Sequence, residues 1–413
     1  MKMKFHNSIG NTGFFLFCAM AVACGDSNSN IAVNPKTLFQ KDEPQSQGME
    51  TEKQQPKNET SDSSPIINKQ QQTVGVKTTP VKMDDLSMPQ LPIPEKPVQN
   101  TVIIPIENLP CAGMIPKVNM APVLKSPFVQ LKSDFQFTEG PTWIKALNQF
   151  YFSDNNTGIQ YLYSVEKKNF TTGPTFDKNT INGNATDNMG RLLGVGGTEG
   201  TIRRSKKAID SLPSRDSFEV LVAKNASGFI FKGTNDLAVS EKGIVYFTDP
   251  DGYGDKVFAA FSDGKVKVFD ALTKMANGVT LSPDQKTLYV GSVTNGNKSP
   301  NGAAIFKFDI LADGSLSAGQ LFASQQGANC CFDGMRTDAL GRLFASGPGK
   351  EISVFDKTGK LVEKLNLPVQ PTNIAFGGVN GTDVFVTAGS AVFLARSAIP
   401  GAQFTDKLCA AMQ

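Results

Sequence analysis

The chain predicts an all-β fold, a six-bladed β-propeller preceded by a disordered tether. Two observations point to the propeller. The C-terminal two-thirds carries six copies of one pattern, a carboxylate or carboxamide followed about ten to twelve residues later by a short apolar strand bounded by small or acidic residues. The copies read TEGPTWIKALNQFYFSD from Thr138, INGNATDNMGRLLGVGG from Ile181, TNDLAVSEKGIVYFTDP from Thr234, ANGVTLSPDQKTLYVGS from Ala276, FDGMRTDALGRLFASGP from Phe332 and TNIAFGGVNGTDVFVTA from Thr372. Their second residues are Glu139, Asn182, Asn235, Asn277, Asp333 and Asn373, spaced about 40 to 56 residues apart, the length of a four-stranded blade. The tether follows from composition. From Gly25 to about Pro116 the chain is rich in Ser, Asn, Gln, Thr, Lys and Pro, with Phe39 its only aromatic residue, and cannot bury enough surface to offset its ordering entropy.

Taken in order, residues 1–23 read as a secretory leader: Lys2 and Lys4, then the apolar run GFFLFCAMAVA, too short to span a membrane, ending at Ala23 before Cys24. MAVACG resembles a bacterial lipoprotein signal, in which Cys24 becomes the lipidated first residue. Gly25 in place of Asp after the cysteine favours the outer over the inner membrane, with the folded part outside the cytoplasm. Residues 24–110 form the tether, with PQLPIPEKP inclined to polyproline II. The propeller occupies 125–398, and the strand around Ala391 to Arg396 is expected to close the ring against the segment before Glu139. Residues 399–413 are a C-terminal tail.

In a propeller the innermost strand of each blade runs along the ring axis, so a polar residue in the same slot of every repeat is delivered to one end of the central channel. Asn-Gly and Asp-Gly ordinarily mark turns, because both residues tolerate positive φ. Here a later turn at Gly243, Asp284, Gly341 and Gly381 already fills that role, and Glu139 is a poor turn former. Two carboxylates aimed at one channel mouth repel unless a cation lies between them, and a divalent ion accepting Glu139 and Asp333 removes that cost.

Net charge is +3 and falls by two with the leader, and no basic stripe occurs, so nucleic acid is excluded as a partner. Of six cysteines, Cys111, Cys330, Cys331 and Cys409 remain once Cys18 leaves with the leader and Cys24 takes lipid. Cys111 precedes the first blade and Cys409 follows the last, so ring closure suggests a disulfide between them. Cys330 and Cys331 are then left either as a vicinal disulfide or as two buried thiols. The only histidine is His6, inside the leader. Ser-His-Asp and Cys-His catalysis and His-based zinc sites are therefore excluded, and hard oxygen donors suit Ca²⁺, Mg²⁺ or Mn²⁺.

FTEGPTW…FYFSD from Phe137, TNDLAVSEKGIVYFTDP from Thr234, NGVTLSPDQKTLYVG from Asn277, DGMRTDALGRLFASGPGKEISVFDKTGK from Asp333 and PTNIAFGGVNGTDVFVTA from Pro371 closely resemble the SMP-30/gluconolactonase family of six-bladed propellers. The resemblance implies one divalent metal at the channel mouth, Ca²⁺ first, with Mg²⁺, Mn²⁺ and Zn²⁺ as alternatives. By the same resemblance Glu139, Asn235, Asn277 and Asp333 are its ligands, and Asp333 is the base or nucleophile. Asn182, Asn373 and Lys232 are then candidates for contacting a lactone or related ester substrate. The chain also departs from the pattern. Where sugar-lactone hydrolases of the family often carry an Arg two residues before the Asn of ND, it has Gly233. Arg336 and the lack of histidine argue against the second calcium of some members. The expected activity is a lactonase-type ester hydrolase acting as a lipid-anchored monomer. The alternatives are phosphotriester hydrolysis in the same site, or a non-catalytic propeller that binds an envelope protein or glycan.

Overall fold

The structure is a computed structural model that describes residues 122–292, 303–325 and 331–408. The leader, the tether, Cys24, Cys111, Cys330 and Cys409 lie outside those residues. The described chain folds into six four-stranded antiparallel sheets, each built from consecutive strands except the last. The last sheet joins the two ends of the propeller: Leu124–Lys132 pairs with Ala391–Ser397, placing Val129 opposite Leu394 and Gln130 opposite Phe393. The closing strand thus lies where the repeat pattern put it.

Strand composition follows depth in the blade. The second strands, among them Gln149–Asp154, Val245–Thr248, Leu343–Ser346 and Asp383–Ala388, are almost wholly buried. Both faces of each are covered, and this is why FYF, VYF and VFV run without alternating polar residues. The outermost strand Leu361–Asn366 buries only Leu365. Apolar clusters fill the gaps between adjacent blades; the largest links the fifth, sixth and first blades, with Phe150 stacked on Phe385 at a centroid distance of 4.8 Å. Each such ring, moved from water into this interior, contributes about 1.5–3 kcal/mol.

The C-terminal tail is not loose where it is described. Ala339 donates its N–H to the Pro400 carbonyl, Gln403 Nε2 donates to the Phe376 carbonyl at 2.9 Å, and Phe404 is buried beside Gly381. The segment Ala402–Lys407 therefore fastens to the fifth and sixth blades.

Candidate active site

Five of the six repeat residues enter the structure at one kind of strand irregularity, while Asn373 pairs in regular register with Thr387. Asn182, Asn235 and Asp333 donate their N–H groups to Val195, Thr248 and Ser346, each on the second strand of its own blade, at 3.0–3.2 Å. The glycine that follows turns its N–H outward to the next blade: Gly183 donates to the Asn235 carbonyl and Gly334 to the Thr372 carbonyl, both at 2.9 Å. In the first and fourth blades the same slot is a register shift, between Glu139 and Thr142 and between Ala276 and Val279. The Asn-Gly and Asp-Gly pairs are therefore strand irregularities that re-aim a side chain, not turns.

Hydroxyl groups fix the carbonyls of this layer. Ser153 Oγ donates to the Asn182 carbonyl, Thr248 Oγ1 to that of Asn277 at 2.6 Å, and Thr372 Oγ1 to that of Thr138 at 2.8 Å. Each bond crosses from one blade to the next, joining the first to the second, the third to the fourth and the sixth to the first.

The side chains in these slots divide into two groups. Asn182 accepts from Asn155 Nδ2 at 2.8 Å and donates Nδ2 to the Asn235 carbonyl at 3.2 Å. Asn373 accepts from the Ile374 N–H at 2.9 Å and donates Nδ2 to Glu139 Oε2 at 3.2 Å. Both carboxamides are thus engaged by protein partners. The buried Oδ1 of Asn277, in contrast, has no hydrogen-bond partner among the described residues. Asn235 is buried, and Asp333 is partly open to solvent and accepts from the Gly334 N–H. Glu139 Oε2 accepts from the Gly140 N–H at 2.8 Å as well as from Asn373. Lys232 has an exposed side chain, and its backbone N–H, like that of Gly233, is held by the Asp249 carboxylate. A Cβ at Gly233 would collide with the Asp251 carboxylate, so no larger residue fits there.

Three carboxylates share this region. Burial pushes the Glu139 carboxyl up to about 7; Asp236 adds to the rise, while the Gly140 N–H, Asn373 and Arg336 oppose it. Asp333 is pushed well above the usual carboxylate range, first by burial and then by the charges of Glu139 and Asp236. Burial also raises Asp236, against the opposing charge of Arg336 and the N–H groups of Leu237 and Val279. Sequence reasoning did not single out Asp236 or Asn155 for the site. The ND doublet was a signal for Asp236, since only the third repeat has an acidic residue directly after its slot. Among the described residues, no group of three or more His, Cys, Asp or Glu side chains is arranged for a metal. The four slot residues expected as ligands are two carboxylates and two carboxamides.

Cys331, two residues before Asp333, is disulfide-bonded to a partner outside the described residues.

The profile described as the SMP-30/Gluconolactonase/LRE-like region matches residues 137–390. The chain belongs to the SMP-30/gluconolactonase/LRE-like family. A gluconolactonase of Zymomonas mobilis is 27% identical over 307 residues, covering 68% of this chain and 84% of that protein. Lactonohydrolase oryL of Aspergillus oryzae is 23% identical over 317 residues, covering 65% of this chain and 71% of that protein. A solved gluconolactonase structure from Xanthomonas campestris superposes with a TM-score of 0.57 at 24% identity, covering 67% of this chain and 91% of that one, a likeness of fold. The matched span of this SMP-30/gluconolactonase-family chain takes in all six slot residues.

Proposed function

We propose that the chain is a lactone hydrolase whose reaction takes place at the channel mouth beside Asp333, with one divalent cation held by Glu139, Asn235, Asn277 and Asp333. The carrying observation is the partition of the slots: Asn182 and Asn373 have both polar ends engaged, while Asn277 keeps a buried acceptor without a partner. A buried carboxamide oxygen without a partner among the described residues fits a hard cation that takes oxygen ligands, Ca²⁺ above all. Family membership and the named activities of the relatives support the same reading.

When bound, the cation supplies Lewis-acid polarisation of the lactone carbonyl. Asp333, the one carboxylate of the three that is partly open to solvent, takes a proton from water as the water oxygen bonds to the carbonyl carbon. The ring C–O bond breaks, and Asp333 returns the proton to the departing alkoxide, leaving a hydroxy acid. Glu139 is oriented by Gly140 and Asn373, and Asn182 is held by Asn155, so the mouth is rigid before substrate arrives.

Purified protein assayed by proton release on a panel of sugar and aliphatic lactones, before and after chelation, tests this. Activity should vanish with chelator and return with Ca²⁺. Asp333→Asn should lower kcat by about a hundredfold or more, while keeping one oxygen ligand. A metal-binding protein inert on every lactone and phosphotriester would place the non-catalytic binding propeller ahead. The lipid anchor at Cys24 and the location outside the cytoplasm belong to the same proposal, supported by the MAVACG segment.

A further inference from the structure

The register of the sixth sheet fixes where the chain enters the ring. Leu124 pairs with Ser397, and Ser397 donates its N–H at 2.8 Å to the carbonyl of Thr382, in the turn 378–382 that joins the first two strands of that sheet. Ala398 donates its N–H to the Val123 carbonyl at 3.0 Å. The slot residue Asn373 begins the strand Asn373–Gly377, and the turn follows its last residue. The chain therefore joins the ring at the end opposite the channel mouth. The segment after the last strand docks on that end too, where Asp338 and Gly401 form a bridge.

In every blade the turn between the first and second strands and the turn between the third and fourth belong to this end, because antiparallel strands alternate in direction. These turns are rich in lysine. Lys145, Lys167, Lys168, Lys207, Lys286 and Lys357 lie in them, exposed, and none is ion-paired among the described residues. Most carboxylates of the same turns are tied down. Asp187 and Asp338 bond arginines at 2.7 and 2.6 Å, while Asp284 and Asp356 accept N–H groups of their own turns; Glu166 and Asp210 stay exposed. The mouth end has the opposite balance, with Asp134, Asp249, Asp251 and Asp255 in its connections besides the slot carboxylates.

Three of these lysines stand beside the chain entry. A hollow of about 540 Å³ between the sixth and first blades is lined by Lys125, Arg396 and Val379, and by Asn148, Val165 and Glu166 from the two turns that carry Lys145, Lys167 and Lys168. Val379 is 73% exposed, more than any other large apolar side chain among the described residues. An apolar tip with lysines around it, next to the point where the chain runs back toward Cys24, fits a surface of anionic lipid headgroups.

We propose that this end of the ring is a docking face for the anionic lipid surface that holds the anchor, so that the channel mouth points away from the membrane and draws its substrate from solution. The inference rests on the lipid-anchor reading above for the identity of the surface. Attraction between each lysine and such a surface falls off within a Debye length, so the face orients a tethered ring but does not hold an untethered one at high salt.

Co-sedimentation of the Cys24→Ser chain with vesicles tests the face, because no lipid can then hold the protein. The chain should bind vesicles of phosphatidylethanolamine and phosphatidylglycerol at low salt, leave them at about 0.5 M salt, and ignore vesicles of phosphatidylcholine alone. Lys145→Glu, Lys167→Glu and Lys168→Glu together should weaken binding about tenfold or more. Lys178→Glu, Lys224→Glu and Lys274→Glu, the same change of charge at the mouth end, should leave it unchanged. All six side chains are exposed, so both triple variants should melt as the parent does. Loss in the mouth-end variant, equal loss in both, or no binding to either kind of vesicle would overturn the inference. Binding to a soluble anionic polysaccharide with none to vesicles would also overturn it and give the face a different partner. None of these outcomes bears on the anchor, which is read separately from fractionation of the unsubstituted chain. Docking by this face in a chain whose Cys24 carries no lipid in cells would remove the anchor and leave the face standing.

Discussion

At the residue scale the distinction that matters is between carboxamides that are spent and those that are not. Asn, Asn and Asn look alike in the repeats, yet Asn182 and Asn373 bond protein partners at both ends while Asn277 presents an unpartnered buried oxygen. Glu139 carries the most readable consequence. Its carboxyl is raised from 4.5 to about 7 without a cation, so between these values the folded state holds a proton that the unfolded chain has released. The metal-free protein must then lose stability as pH rises through that window. A divalent ion needs the carboxylate ionised, so its affinity rises by up to about tenfold per pH unit over the same range. Thermal melts from pH 5 to 8 with chelator and with Ca²⁺ should therefore diverge as pH rises to about 7, the Ca²⁺ curve staying higher. Glu139→Gln should flatten the divergence and weaken Ca²⁺ binding first, with activity falling in consequence. Parallel curves in the wild type would show that Glu139 does not hold the ion.

At the scale of the element, the innermost strands are short and irregular because each must both pair with its neighbour and deliver one side chain to the axis. The glycine after the slot makes this geometry. A Cβ at Gly334 would collide with the Asn373 carboxamide, and one at Gly140 would meet the Asn182 carbonyl. Gly334→Ala should therefore cost about 1–3 kcal/mol of stability through overpacking. It should also weaken Ca²⁺ binding, because the displaced Asn373 no longer orients Glu139. A denaturant midpoint equal to the wild type, with unchanged Ca²⁺ affinity, would show that the fifth and sixth blades yield at this point. The repeat spacing made the slots legible. Asp236 was not legible as a member of the cluster, because its Oδ2 accepts from Val279 of another blade, a meeting that only packing brings about.

At the scale of the molecule, the ring is closed by strands more than 250 residues apart, Leu124–Lys132 and Ala391–Ser397, with Ser126 Oγ accepting from the Arg396 N–H at 2.9 Å. Closure brings Thr372 and Thr138 within bonding distance and so completes the layer in which Glu139 sits. The proposed lipid anchor at Cys24 is tested apart from the ring. Cys24→Ser should shift the protein from the membrane to the soluble fraction after cell breakage. Retention on membranes through a high-salt wash would remove the lipoprotein reading and leave the propeller untouched.

The sequence by itself determined the blade count and the ring closure, because a repeat period and an apolar strand pattern are local properties that each blade writes in full. It also determined that no histidine beyond His6 takes part. What only the tertiary structure decided is which slots keep free oxygens, that Asp236 lies near enough to raise Glu139 and Asp333, and that Gly233 leaves room for Asp251. Each of those depends on atoms from two or three blades meeting at the axis, and the distance between such atoms is set by packing, which no single repeat encodes.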